Sequence, residues 1–473
     1  MKIQQIYTGC LAQGAYYIES NGEAVIIDPL REVEPYINRA EKDGAKIKYV
    51  LETHFHADFV SGHIDLAEKT GAQIVFGPTA KPDFDALIAE DGQVLKVGDV
   101  TFTVLHTPGH TMESSCYLLK DELGREVGIF TGDTLFIGDV GRPDLAQKVS
   151  AELTQQKLAE HLFDSLRDKI MPLADDIIVY PAHGAGSACG KSMSRETTDT
   201  LGNQKMFNYA LRADMSKEEF VKEVTNGLMP PPAYFPENVL MNMRGYESID
   251  MVIERGNNAL DPEAFEAAAN ETDAVMLDTR DAEIFAKGFI PSSINIGING
   301  SFAPWVGTLL PDIKQRILLI TEPGREQEVV TRLARVGYDH TIGYLKGGIE
   351  AWMKAGKEVD QTESVTAQQM KDWLQSDQSI VVLDVRKASE FNSEHVLGAE
   401  NMPLDYINEH LAQIDKSITY FVHCAGGYRS MIFNSILKAR GYDNLIDVKG
   451  GFKAIKESGG LAVSNYVCPS TLL

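Results

Sequence analysis

The chain has 473 residues, enough for two to four domains at roughly 100–200 residues each. Hydrophobic residues at 44% and charged residues at 24% give an ordinary globular mix, which excludes whole-chain disorder, collagen-like repeats and low-complexity classes. Lys plus Arg total 44 against 68 Asp plus Glu, and the net charge of −24 argues against nucleic acid and anionic membranes as partners. The stretch Met1–Ile18 carries one Lys and no long apolar block, so it does not read as a signal peptide, and no 18-residue apolar run suggests a membrane span. The five cysteines are scattered without a CxxC, which disfavours a disulfide framework or a structural zinc knot. A reducing, cytoplasmic setting is expected.

In chain order, Ala24–Asp28, Tyr49–Glu52, Ile74–Phe76, Val100–Leu105, Ser115–Leu119 and Gly128–Phe130 read as strands. Ile64–Thr70 and Ser150–Arg167 read as helices. The pattern predicts a sheet-rich layered domain with its site on loops at one edge. Ser216–Thr225 is a capped helix with Glu three residues after its Ser, and Pro230–Pro232 and Pro236 then break structure. Residues 1–245 are read as the first domain with a C-terminal extension, and 246–258 as a linker.

The remainder repeats with a period of about 105 residues. Leu277–Arg280 (LDTR) returns as Leu383–Arg386 (LDVR), Gly337–Asp339 as Gly441–Asp443, and Leu345–Gly348 as Val448–Gly451. Apolar strands such as Ile317–Thr321 and Thr419–His423 alternate with helices, which predicts two copies of a parallel-sheet α/β domain, at 259–358 and 362–473.

Chemistry-bearing residues collect just past strand ends. His54-Phe55-His56-Ala57-Asp58 follows one strand, and Thr107–His110, Thr131–Asp133 and Pro181–Gly184 follow three others. A lone His at such a junction is usually structural, but four junctions carrying His or Asp point to a transition metal. The series HxHxD, TPGH, TGD and PxHG resembles the metallo-β-lactamase superfamily over about residues 1–245. That resemblance implies an αββα sandwich, and it leaves the reaction open because the fold hosts hydrolases and oxidoreductases.

Phe59 departs from the pattern, standing where many members have a His that helps hold a second metal. A phenyl ring cannot ligate, so one metal is expected. His54, His110 and Asp133 then make a two-His, one-carboxylate face suited to non-haem Fe(II). This is similar to the persulfide dioxygenase branch of the superfamily. The resemblance implies one Fe(II) per chain, with zinc possible on purification, and makes His56, Asp58 and His183 orienting groups around it. Spacing alone would also admit His56 as a ligand. Arg142, in Gly138–Asp144, resembles a family position that meets substrate carboxylates, against the plainer reading of a surface ion pair.

Cys424-Ala-Gly-Gly-Tyr-Arg-Ser sits between the strand Thr419–His423 and the helical stretch Met431–Arg440. Backbone N–H groups around Gly426 and Gly427 would form an anion nest there and favour a nucleophilic Cys424 thiolate; the plain alternative is a buried inert thiol. The loop resembles the rhodanese sulfurtransferases over about 362–460, which implies that Cys424 carries a sulfane sulfur with Arg429 and the two glycines supporting it. Four residues separate Cys424 from Arg429, and related phosphatase loops are one residue longer. The upstream copy has Glu322 in place of the cysteine and is expected to be inactive. Cys189, in the loop Gly184–Lys191, is a candidate second sulfur acceptor, with Lys191 favouring its thiolate.

The combined resemblance implies a persulfide dioxygenase fused to two rhodanese-like domains. It would oxidise a low-molecular-weight thiol persulfide with O2 to sulfite and form thiosulfate through Cys424, disposing of sulfide and reactive sulfur as a homo-oligomer. Two rivals are a glyoxalase II-like thioester hydrolase with a binuclear metal site and a sulfur-carrier assembly without oxygenase activity.

Overall fold

Along Gln13–Ser20 neighbouring side chains go to opposite faces, and both faces are buried: Tyr16 and Ile18 join one apolar cluster, Ala15 and Tyr17 another. A strand covered on both sides needs a layer above and a layer below. The computed structural model, which describes residues 1–145, 154–191, 193–228, 230–377 and 379–468, supplies both.

The chain divides into two compact units, Met1–Met251 with Leu333–Tyr338, and Val252–Arg332 with Asp339–Leu473. In the first unit, one six-stranded sheet runs in the order β1 (Lys2–Thr8), β2 (Gln13–Ser20), β3 (Glu23–Ile27), β4 (Lys46–Leu51), β5 (Gln73–Phe76), β6 (Leu87–Ile88). The second sheet is built from β7 (Val94–Val97), β8 (Val100–His106), β9 (Ser115–Lys120), β10 (Glu126–Gly132), β11 (Ile178–Pro181) and β12 (Asp199–Thr200), again in sequence order. Ile27, Leu51 and Val75 of the first sheet meet Phe102, Tyr117 and Phe130 of the second between the layers. Helices Glu34–Asp43 and His63–Thr70 cover the outer face of the first sheet through Tyr36, Ala40 and Leu66. Helices Gln155–Ser165 and Lys217–Thr225 cover the second through Ala159, Leu162, Phe220 and Val224. The result is the expected αββα sandwich.

The helix expected over Ser150–Arg167 begins at Gln155 among the described residues and ends in a wider π turn, Leu166–Ile170; its expected first residues, 150–153, lie outside them. Ser216 caps its helix as the capping box predicts, exchanging hydrogen bonds with Glu219. The segment read as a linker, 246–258, carries a helix, Ile249–Gly256, whose apolar positions Ile249 and Val252 are buried. The described helices include none long and apolar enough to cross a membrane. Cys10, Cys116, Cys189 and Cys424 are free thiols.

The second unit holds two five-stranded sheets. One comprises β13 (Ala259–Leu260), β14 (Val275–Asp278), β15 (Ile294–Asn295), β16 (Ile317–Ile320) and β17 (Thr341–Leu345), in the order β13-β17-β16-β14-β15. The other comprises β18 (Ser364–Val365), β19 (Val381–Asp384), β20 (Glu400–Asn401), β21 (Tyr420–His423) and β22 (Leu445–Val448), in the order β18-β22-β21-β19-β20. Every pairing in both sheets is parallel, and the shared order is the sequence repeat made visible. The repeated Leu-Asp-x-Arg marks form the same buried ion pair in each copy. Arg280 Nε donates to Asp278 at 2.9 Å, and Arg386 Nε to Asp384 at 2.9 Å.

The C-terminal extension of the first domain reaches back to its metal-type loop. Asn242, in the helix Phe235–Arg244, donates to the carbonyls of His56 and Phe59 at 2.8 Å each and accepts from Ser61 N at 2.8 Å. These bonds are buried, so removing the amide leaves three backbone groups without partners. Asn242→Leu should cost about 3 kcal/mol of local stability. Hydrogen exchange at residues 54–61 should accelerate by about two orders of magnitude; unchanged exchange there would refute the clamp.

Candidate functional site

Strand ends carry the first site. β4 delivers His54, the turn after β8 delivers His110, β10 delivers Asp133 and β11 delivers His183. One ligand atom from each of His54, His110 and Asp133 lies within 4.8 Å of the others. His110 Nε2 is 3.4 Å and His54 Nε2 3.9 Å from Asp133 Oδ2, while His183 Nε2 is 3.5 Å from Asp133 Oδ1. All four residues are buried.

Hydrogen bonding assigns the imidazole tautomers. His110 Nδ1 lies 2.8 Å from the carbonyl of Arg142, which can only accept, so Nδ1 carries a proton and Nε2 is the nitrogen left for a ligand. Thr53 Oγ1 donates to Asp28 at 2.9 Å and therefore accepts from His54 Nδ1 at 3.0 Å, leaving His54 Nε2 basic. Burial, then the neighbouring imidazoles His56, His110 and His183, hold the His54 pKa well below the ordinary value, so it stays neutral. Neither oxygen of Asp133 has a hydrogen-bond partner, nor does His183 Nε2. Buried imidazoles and a carboxylate without hydrogen bonds, grouped this closely, are the kind of donor set a divalent cation satisfies.

Gly141 lets the loop after β10 close over this set. A Cβ there would lie 2.0 Å from the Asp133 carbonyl oxygen and 3.0 Å from His110 Nδ1. The neighbouring Arg142 carbonyl holds His110. Its guanidinium is engaged by Asp144, Nε to Oδ1 at 2.6 Å and Nη2 to Oδ2 at 2.7 Å, with Nη1 donating to the Ala188 carbonyl at 3.2 Å. A substrate carboxylate would have to compete with Asp144 for that fork.

His56 faces the other way. Its Nε2 is 3.1 Å from Asp28 and 3.5 Å from Glu52. Burial opposes its charge, but those two carboxylates raise its pKa well above the ordinary value. Burial pushes the Glu52 carboxyl up to about 7. Phe59 lies tilted against the His56 ring, centroids 4.3 Å apart, and is fully buried. His56, Asp58 and His183 also satisfy the distance condition for a cation, with His183 Nε2 3.5 Å from Asp58 Oδ2. Burial raises the Asp58 pKa.

Cys189 lies against the same centre, its sulfur grouped with Asp133 and His183. Burial, then the Asp58 and Asp133 carboxylates, push its thiol well above the ordinary value. Lys191 does not offset this, contrary to the expectation: its Nζ donates to the Glu223 carbonyl at 2.8 Å.

The thiol loop forms the second site. β21 ends at His423, Cys424 opens the loop, and the helix begins at Tyr428, three residues before the sequence pattern suggests. Gly427, at φ 104°, turns its N–H onto Cys424 Sγ at 3.1 Å. Arg429 forks onto Glu390 at 2.6 and 2.8 Å, which holds the Glu390 pKa low against its burial. At the matching place upstream, Glu322 sits 3.9 Å from Arg325. The sequence analysis missed Asp28, Glu52, Thr53, Asn242 and Glu390. Asp28 closing an apolar run, and Glu52-Thr53 preceding His54, were the available signals; Asn242 and Glu390 had none.

Residues 8–183 match the Metallo-beta-lactamase superfamily, and residues 261–355 and 366–458 each match the Rhodanese-like domain. Over 224 residues the chain is 32% identical to the mitochondrial persulfide dioxygenase ETHE1 of Homo sapiens, covering 47% of this chain and 79% of that protein. It is also 32% identical over 190 residues to the hydroxyacylglutathione hydrolase GloC of Haemophilus influenzae, covering 36% of this chain and 83% of that one. A crystal structure of a metallo-beta-lactamase from Staphylococcus aureus superposes with a TM-score of 0.63 at 31% identity, over 73% of this chain and 98% of the other. Fold order, strand-end ligands and these likenesses agree, and the chain belongs to the metallo-beta-lactamase superfamily, with two rhodanese-like domains following that fold.

Proposed function

We propose that the chain is a persulfide dioxygenase joined to a sulfurtransferase, acting in sulfur metabolism. The observation that carries the first half is the trio His54, His110 and Asp133, two buried imidazoles and a carboxylate without hydrogen bonds, each offering a ligand atom within 4.8 Å of the others. Likeness to a persulfide dioxygenase supports the same reading. Ferrous iron, when bound by that trio, supplies the one-electron chemistry that lets O2 react with a sulfur anion. The chain's own contribution is to hold the ligands. Thr53 and the Arg142 carbonyl fix the two imidazole tautomers, and Phe59 presents an apolar wall. Cys189 stands beside the centre as a candidate thiol for a sulfur passing through it.

The overall reaction is RSSH + O2 + H2O giving RSH, sulfite and two protons. In the second half, the Cys424 thiolate attacks the outer sulfur of a persulfide. A new S–S bond forms, the old one breaks, and the thiol RSH leaves with the proton. Sulfite then takes the sulfane sulfur from Cys424 as thiosulfate and restores the thiolate. Gly427 N–H stabilises the thiolate and Arg429 the incoming anion. Joining the two catalysts in one chain raises the effective concentration of the sulfite made by the first.

A second reading is favoured by one observation. His56, Asp58 and His183 also meet the distance condition, and a hydroxyacylglutathione hydrolase is 32% identical. A thioester hydrolase with two metals would use both trios.

Two measurements separate these. Anaerobically purified, iron-loaded protein given glutathione persulfide should consume O2 and release thiosulfate. His110→Ala should lower uptake by at least about 100-fold, and Cys424→Ser should release sulfite instead of thiosulfate. Absence of uptake with any thiol persulfide would refute the dioxygenase. Elemental analysis of the iron-loaded chain should give one metal per chain, unchanged in Asp58→Ala; two metals with thioester hydrolysis would establish the alternative.

A further inference from the structure

The second unit encloses a cavity of about 800 Å³ where its two rhodanese-like copies meet. The upstream copy contributes Asp281, Glu283 and Lys287 at the helix Ala282–Ala286, and the turn Gly297–Gly300. The downstream copy contributes Gly426, Gly427 and Tyr428 of the thiol loop, with Asp447 and Lys449 at the end of β22. The two walls are tied together. Tyr428 Oη donates to the Gly297 carbonyl at 2.7 Å, and Asn295 N donates to Ser435 Oγ at 2.9 Å. Gly300 meets the Tyr428 ring so closely that a Cβ would lie 2.4 Å from it. The cavity is therefore held open by fixed contacts.

Two buried polar atoms in its lining lack any partner, Asp447 Oδ1 and Thr362 Oγ1. Asp447 is 5% exposed, and burial pushes its carboxyl up to about 7, with Ser430 and Lys449 opposing and Glu283 adding to the rise. Ser430 meets this carboxyl, but its Oδ1 is left without a partner, and a buried polar oxygen in that state is costly unless a donor arrives. Asp281 and Glu283 add negative charge to the same space, while Lys287 and Lys449 add positive charge. Such a lining complements a zwitterion. It does not suit a polyphosphate, which would meet more acid than base.

Gly427 links this space to the nucleophile, since it lines the cavity and donates to Cys424 Sγ. We propose that the cavity binds the body of an amino-acid or short-peptide thiol persulfide, its ammonium on Asp447 and Glu283 and its carboxylate on Lys287 and Lys449, while the sulfane sulfur reaches Cys424. This rests on the sulfurtransferase reading of Cys424. The upstream copy, without a thiol of its own, then supplies half of the donor site. The Cys424 thiolate takes the outer sulfur, the donor S–S bond breaks, and the carrier departs as its thiol.

The test uses the full chain without oxygen, so that only sulfur transfer is read. Glutathione persulfide is the donor, sulfite the acceptor and thiosulfate the product. The double variant Glu283→Gln/Lys287→Ala should raise KM for glutathione persulfide about tenfold with kcat unchanged. Transfer from thiosulfate to cyanide, which needs no carrier, should be unaltered in that variant. Coenzyme A persulfide should be the poorer donor to the wild-type chain. An unchanged KM for glutathione persulfide, or a preference for coenzyme A persulfide, would overturn the proposal. If the wild-type chain moved no sulfur from thiosulfate, or Cys424→Ser still did, the sulfurtransferase reading itself would have failed and this one with it.

Discussion

Asp133 is a buried carboxylate whose two oxygens have no hydrogen-bond partner, faced by three imidazole nitrogens between 3.4 and 3.9 Å away. An isolated charge in such a place is strongly disfavoured. Much of the first unit serves to keep that arrangement in place. β10 positions the carboxylate, Gly141 lets the following loop pass at backbone distance, and the Arg142 carbonyl turns His110 toward it. Asp28 orients Thr53, which orients His54. Asn242 and Tyr234, from the extension past the sandwich, hold the backbone of the His-containing loop at Phe59, His56 and Asp58. Loss of a distant amide is therefore felt at the centre as surely as loss of a ligand.

The sequence makes this centre legible because its buried His and Asp residues sit just past strand ends, and strand ends are marked by apolar runs. His54, His110, Asp133 and His183 each follow one. The repeat is legible for the same reason: identical marks recur at matching places, and both copies adopt one strand order. What cannot be read is pairing across long stretches of chain. Asn242 meets the carbonyl of a residue 186 positions away, and Glu390 meets Arg429 across 39. Neither partner carries a local pattern that names the other. The supposed linker hid a helix because Pro and Gly punctuation nearby outweighed the apolar spacing of Ile249 and Val252. Lys191 misled for a related reason, since adjacency in sequence to Cys189 says nothing of where a long side chain ends.

Duplication in the second unit separates two tasks that one copy would otherwise share. The downstream copy keeps the thiol and its glycine turn. The upstream copy has Glu322 at that place, and its turn Gly297–Gly300 receives Tyr428 of the working loop. Glycine is needed there because the tyrosine ring approaches the backbone more closely than any Cβ permits. Without a cysteine at that place, the upstream copy retains its sheet, its buried Asp278–Arg280 pair and its core around Phe265 and Trp352. These are the features that fix a wall in place.

Phe59 shows how a single ligand position changes what a fold can do. A histidine there would offer a nitrogen beside Asp58 and His183. The phenyl ring instead packs against His56, whose Nε2 is directed to Asp28 and Glu52. Two of the groups nearest the second position are thus an apolar face and an imidazole engaged elsewhere. A second cation would have to rely on Asp58, His183 and an imidazole already close to Asp28 and Glu52. At the first position His54 and His110 keep basic nitrogens and Asp133 keeps both oxygens free of hydrogen bonds. The asymmetry lies in the protein itself: one His/Asp trio keeps a carboxylate without hydrogen bonds, and the other shares its imidazole with Asp28 and Glu52.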